Sequence, residues 1–130
     1  MKTTCGIDII EVARVQDGIE RLGNQFLDKI YTPFEIEYCN SKGKIKYQHF
    51  AARFAAKEAI FKAISHLLKD KYEITWTDVE IYNDNMLKPH ARFLNKEIQE
   101  IEQIDISISH IKEYAVANCI VVSKTNKKGC

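Results

Sequence analysis

The spacing of apolar positions changes period along this chain, and the changes divide it into elements. From Cys5 to Val12 the residues alternate as in a strand, with Ile7 and Ile9 on one face and Gly6, Asp8 and Ile10 on the other. Val12, Val15, Ile19 and Leu22 then recur at helical spacing, and Gly23 with Asn24 ends that helix. Thr32-Pro33-Phe34-Glu35 carries a capping threonine, a proline at the first helical position and a glutamate placed to complete a capping box. It predicts a short helix stopping near Asn40 to Gly43. A long central helix follows, from about Tyr47 to Leu68. Val79 to Tyr82 and Ala91 to Leu94 read as strands joined by the turn-forming Asn83-Asp84-Asn85, and Asn95 to Gln103 as a short polar helix. Asp105 to His110 and Tyr114 to Val122 complete a hairpin. The sum is an α+β domain: a mostly antiparallel sheet packed with a long central helix and shorter helices.

The central helix is unusual in its polarity. Between Phe50 and Ile64 its polar residues are Arg53, Lys57, Glu58 and Lys62, and the rest are Ala, Phe or Ile. Phenylalanines 50, 54 and 61 share one stripe, and Ala51, Ala55, Ala59 and Ala63 cover the neighbouring arc. A helix apolar nearly all round is buried, and charges on it are costly unless paired. Glu58 and Lys62 stand one turn apart, as do Arg53 and Lys57. Spacing leaves two readings open, a solvated helix pair or a site with one carboxylate for a metal and three cations for phosphate.

Composition narrows the function classes. The chain has 130 residues, 45% hydrophobic and 28% charged, enough for one soluble domain with an adequate core. A net charge of +1 argues against general nucleic-acid binding, which needs a strong basic excess. The four cysteines, 5, 39, 119 and 130, form no close-spaced pair, so neither a zinc ribbon nor a dithiol motif is indicated. No apolar run is long enough to span a membrane, and the N-terminal residues do not read as a signal peptide. Reduced thiols in a cytoplasmic protein are the expectation, with a frayed basic tail closing the chain over residues 124–130.

Two further residues stand out. Asp8 interrupts the apolar run of its strand; it is either a bond to a neighbouring turn or, beside Glu58, half of a carboxylate pair suited to Mg²⁺. His110, at the end of Ile106-Ser107-Ile108-Ser109, is either a hydrogen-bonded edge histidine or a phosphate donor. Lys88-Pro89 sets an extended entry to a strand, as a plain turn or with Lys88 touching an anion.

Gly6-Ile7-Asp8-Ile9-Ile10-Glu11 with Arg14, and Arg53-Phe54-Ala55-Ala56-Lys57-Glu58-Ala59 continuing to Lys62-Ala63, resemble the two signature motifs of the holo-acyl-carrier-protein synthases, small 4′-phosphopantetheinyl transferases. Thr32-Pro33 with Glu35, Lys88-Pro89, and Ser107-Ile108-Ser109-His110 with Tyr114-Ala115 are similar to the family's remaining landmarks, in its order, from about Gly6 to Val122. The resemblance implies a single transferase domain over residues 1–123. Such an enzyme moves the 4′-phosphopantetheine arm of coenzyme A to a serine of apo acyl carrier protein, in support of fatty acid biosynthesis. It implies Asp8 and Glu58 as Mg²⁺ ligands, with Lys62 completing the catalytic set. Arg53, Lys57, Lys62, Lys88, Pro89 and His110 are implied contacts of coenzyme A, and Arg14 and Arg21 of the carrier protein. It also implies a homotrimer with sites between subunits. Two positions depart from the pattern. Ile64-Ser65-His66 replaces a glycine-rich turn after Ala63, and Leu87 replaces the glycine before Lys88-Pro89. Loss of the glycine turn gives the alternative reading, a non-catalytic coenzyme A or carrier-protein binding module.

Overall fold

The computed structural model describes residues 1–124, so the tail expected over 124–130 lies outside them apart from Lys124. The chain runs β1 (Lys2–Glu11), α1 (Val12–Leu22), α2 (Asn24–Ile30), α3 (Pro33–Asn40), α4 (Lys46–Ile64), β2 (Val79–Asn83), β3 (Pro89–Phe93), β4 (Ile101–His110) and β5 (Tyr114–Ser123), with short 3-10 turns at Gly43–Ile45, Ser65–Leu67 and Trp76–Asp78. An antiparallel sheet has the order β1-β5-β4, and β2 pairs with β3 as a separate antiparallel hairpin. No helix among the described residues is long and apolar enough to cross a membrane.

Helix α4 lies across the sheet and packs chiefly on β1 and β5. Its small residues allow close approach: Ala55, Ala56, Ala59 and Ala63 are all fully buried against Ala117, Cys119 and Val121. The tightest point is Gly6, where a Cβ would come within 2.0 Å of the Ala59 carbonyl oxygen and 3.0 Å of the Ala63 nitrogen. Thr4 Oγ1 donates to the Ala63 carbonyl at 2.7 Å, fixing the register of strand against helix. Gly6, Asp8 and Ile10 therefore face α4, while Ile7 and Ile9 point outward, 64% and 65% exposed.

The Phe stripe of α4 is divided between two neighbours. Phe50 packs edge-on against Tyr31, ring centroids 5.0 Å apart, whereas Phe54 and Phe61 flank Trp76 at 4.9 and 5.3 Å. The capping box at Thr32 and Glu35 is present with Pro33 in the first turn.

Three elements differ from the sequence expectation. The central helix ends at Ile64 rather than Leu68: Ser65 Oγ turns back to the Lys62 carbonyl at 3.2 Å, and Leu68 is already extended. Asn95 to Gln103 is not a helix. Residues 101–103 instead open β4, which pairs with β5, and Ile98, Ile101 and Ile104 pack onto the core, so sheet pairing overrides a polar local pattern. Gly23, at φ 56°, ends α1 as expected, but a further helix, α2, follows it at once, an element the apolar spacing did not announce.

Candidate active site

Close packing of β1 on α4 sets Asp8 beside the last turns of that helix. Lys62 Nζ donates to the Ile7 carbonyl at 2.9 Å and pairs with Asp8 Oδ1 at 3.3 Å. The Asp8 side chain is 18% exposed and that of Lys62 is 53% exposed, so the ammonium remains open to solvent. Glu58, one turn before Lys62, has its carboxyl pKa raised, first by burial and then by the charge of Asp8, with Lys62 opposing. Two cavities meet at Glu58. One, of about 360 Å³, is lined by Asp8, Arg14, Phe26, Phe54 and Glu58; the other, of about 660 Å³, by Phe61, Ser65, Tyr72, Ile74 and Trp76. Arg14 thus borders the carboxylates. Arg21 lies two turns along the same exposed helix and pairs with Asp17 at 3.0 Å.

Among the described residues no three His, Cys, Asp or Glu side chains converge as a complete metal cage. Asp8 and Glu58 instead offer hard carboxylate oxygens from two elements, with Glu58 carrying the electrostatic strain of the neighbouring Asp8 charge. That donor set fits Mg²⁺, which takes one or two carboxylates and fills its shell with water and substrate phosphate.

Arg53 and His110 line a different cavity of about 270 Å³, with Tyr38, Lys42, His49, Asn83, Leu87 and Pro89. Arg53 is 3% exposed, its guanidinium lies 4.1 Å from the centre of the Tyr38 ring, and its Nε has no hydrogen-bond partner among the described residues. Burial lowers the pKa of His110, and Arg53 adds to the effect. For His49 burial comes first, then the charges of His110, Arg53 and Lys42, bringing it down to about 4. Lys88 does not line this cavity. Its Nζ pairs with Asp105 at 2.9 Å and bonds the Ile106 carbonyl at 3.1 Å, at the side of β4.

Lys57 corrects the sequence reading. Its side chain is 0% exposed, and Nζ donates to Glu35 Oε1 at 2.7 Å, to the Ile30 carbonyl at 2.8 Å and to the Trp76 carbonyl at 2.9 Å. All three ammonium protons are used inside the fold, so none remains for coenzyme A. The reason is the helical wheel: Lys57 points towards α3, whereas Glu58 and Lys62 point towards β1.

The sequence reading gave His49 no context, yet it sits four residues before Arg53 on the same helix face, a spacing that could have drawn it in. Leu87, where the family pattern has glycine, adopts φ 63°, so the left-handed backbone persists without the residue that suits it.

The model of the 4′-phosphopantetheinyl transferase superfamily matches residues 4–119. The holo-[acyl-carrier-protein] synthase of Koribacter versatilis (strain Ellin345) is 42% identical over 121 residues, covering 89% of this chain and 94% of that protein. The synthase of Ruminiclostridium cellulolyticum is 39% identical over 126 residues, covering 93% and 92%. Among solved structures, a Bacillus anthracis holo-(acyl-carrier-protein) synthase in complex with CoA (3′,5′-ADP) superposes with a TM-score of 0.76 at 34% identity, covering 93% of this chain and 96% of that one. The Helicobacter pylori synthase in complex with coenzyme A gives 0.78 at 31% identity, covering 91% and 99%. With the signature carboxylates lining one cavity and Lys62 paired to Asp8, the chain belongs to the 4′-phosphopantetheinyl transferase superfamily.

Proposed function

We propose that this chain is a holo-acyl-carrier-protein synthase, transferring 4′-phosphopantetheine from coenzyme A to a serine of apo acyl carrier protein. The observation that carries the proposal is the meeting of Asp8, Glu58 and Lys62 where β1 crosses α4. In the reaction the serine oxygen bonds to the pantetheine-side phosphorus of the diphosphate. The bond from that phosphorus to the bridging oxygen breaks, and adenosine 3′,5′-bisphosphate leaves. A divalent cation such as Mg²⁺, held by Asp8 and Glu58, supplies charge neutralisation on the phosphoryl oxygens when bound. Glu58, or a water that it orders, takes the serine proton. Lys62 neutralises the charge that builds on the leaving phosphate. Arg53 and His110 hold a second phosphate of coenzyme A, and Pro89 shapes the wall of that cavity. Arg14 and Arg21 meet the acidic face of the carrier protein from exposed positions on α1.

The carboxylates and the Arg53–His110 pair line separate cavities of one chain, and Ile7, Ile9 and Ile120 leave an apolar stripe on the outer face of the sheet. Both features support a homotrimer in which sites form between neighbours. The proposed setting is cytoplasmic fatty acid synthesis. Calorimetry of coenzyme A binding with and without Mg²⁺ tests the site. The proposal expects a metal-dependent affinity that Glu58→Gln abolishes; metal-independent binding untouched by that change would remove Glu58 from the role.

A further inference from the structure

The cavity bounded by Tyr38, Arg53, Pro89 and His110 contains more acid–base chemistry than an arginine and one histidine. His110 Nδ1 faces the carboxamide oxygen of Gln48 at 2.8 Å. A carboxamide oxygen only accepts, so the neutral ring carries its proton on Nδ1 and leaves a lone pair on Nε2. In that tautomer Nε2 cannot donate to an anion; it becomes a donor by gaining a second proton. His49 lies edge-on to His110, ring centroids 4.9 Å apart at 62°, and lines the same cavity. The groups facing His49 are the Tyr38 ring at 5.7 Å, Lys42, Arg53 and His110. None of the described lining residues is acidic. Burial and these cations keep both imidazoles neutral in the unliganded chain, with His49 down to about 4. An entering dianion reverses the sign of that field. Arg53, 3% exposed and with Nε unpartnered among the described residues, is the buried donor that calls for such a ligand.

We propose that His49 is a further contact on the phosphate held by Arg53 and His110, and that its binding is coupled to uptake of a proton by the His49–His110 pair. The transferase reading enters in the identity of the ligand, coenzyme A, whose ribose carries a monoester phosphate besides the diphosphate. A monoester is close to dianionic at neutral pH, whereas each phosphate of a diphosphate diester carries a single charge. Two adjacent imidazolium rings repel, so the pair titrates as a unit and gains about one proton rather than two. Gln48 is a positioning residue: it acts on the ligand by fixing the tautomer of His110.

The test is calorimetry of coenzyme A and of dephospho-coenzyme A, which lacks the monoester, at constant Mg²⁺ and about pH 6.5, in buffers of different ionisation enthalpy. The wild type is compared with His49→Gln, His110→Gln and Gln48→Leu. Wild type should take up close to one proton with coenzyme A and none with dephospho-coenzyme A. Each variant should lower the count. Relative to His110→Gln, wild-type affinity should fall by up to about tenfold per pH unit as the pH rises past the bound-state pKa. Nitrogen NMR of the imidazoles in wild type reads the same protonation without a substitution. Equal proton counts in wild type and variants, or imidazole signals that stay neutral on saturation, would overturn the inference while leaving the transferase reading intact. No coenzyme A binding in any arm would overturn both.

Discussion

Replacing Lys57 with methionine removes a charge from a site that water does not reach. The ammonium holds Glu35 at 2.7 Å and ties the carbonyls of Ile30 and Trp76, so one side chain joins α4 to α2, α3 and the turn before β2. Glu35 keeps two other bonds, from the Thr32 amide at 2.9 Å and from the Ile81 amide at 2.7 Å, so it cannot swing out to solvent when Lys57 is lost. Burial, with a smaller push from Arg53, lowers the Lys57 pKa, and the charges of Glu35 and Glu80 oppose it. Breaking one side of such a pair costs about 3–5 kcal/mol, out of a total stability of about 5–15 kcal/mol for a domain. Glu35→Gln should cost a similar amount, and Lys57→Met/Glu35→Gln less than the sum by at least about 1 kcal/mol. Urea unfolding at fixed protomer concentration measures all three, with the slope against denaturant unchanged. A loss under about 1 kcal/mol, with a several-fold rise in KM for coenzyme A, would refute the reasoning and return Lys57 to the substrate.

Gly6→Ala should lower stability by about 3 kcal/mol or more and cut kcat with it, because the new methyl meets the Ala59 carbonyl and pushes Asp8 away from α4; thermal melting and the transfer assay check this. Leu87→Gly should be neutral to stabilising by up to about 1 kcal/mol and Leu87→Val destabilising by about 1 kcal/mol, since φ is 63° there; urea midpoints decide. The depressed pKa of His49, about 4 against an ordinary 6.5, means the unfolded chain binds more protons between those values. Stability should therefore fall as pH drops from about 6.5 to 4, by roughly 1–2 kcal/mol for a ring partly open to solvent, and His49→Phe should remove that slope.

The candidate site was legible in the sequence because its charges stand in places where folding alone would not put them. Asp8 in an apolar strand and Glu58 with Lys62 on an alanine-rich helix both break the local pattern, and the fold brings them together. Lys57 broke the pattern equally, and nothing local distinguishes a lysine aimed at a buried glutamate from one aimed at a phosphate. Its partner Glu35 is twenty-two residues away and became visible only when α3 was docked on α4. His49 was missed for the converse reason: beside Gln48 and Phe50 it has no anomaly of its own, and its context comes from His110, on β4. The false helix over 95–103 shows the same limit, since pairing with β5 is a long-range fact. Gly6 was read as a strand residue; its requirement for close approach belongs to the packing of β1 on α4.

The most direct test of the transferase reading is the intact mass of an apo acyl carrier protein after incubation with this protein, coenzyme A and Mg²⁺, beside an Asp8→Ala/Glu58→Ala control. The account predicts the gain of one phosphopantetheine arm with the wild type and none with the control. No gain with several carrier proteins, from a folded protein that binds coenzyme A, would contradict it, as would equal transfer by the control.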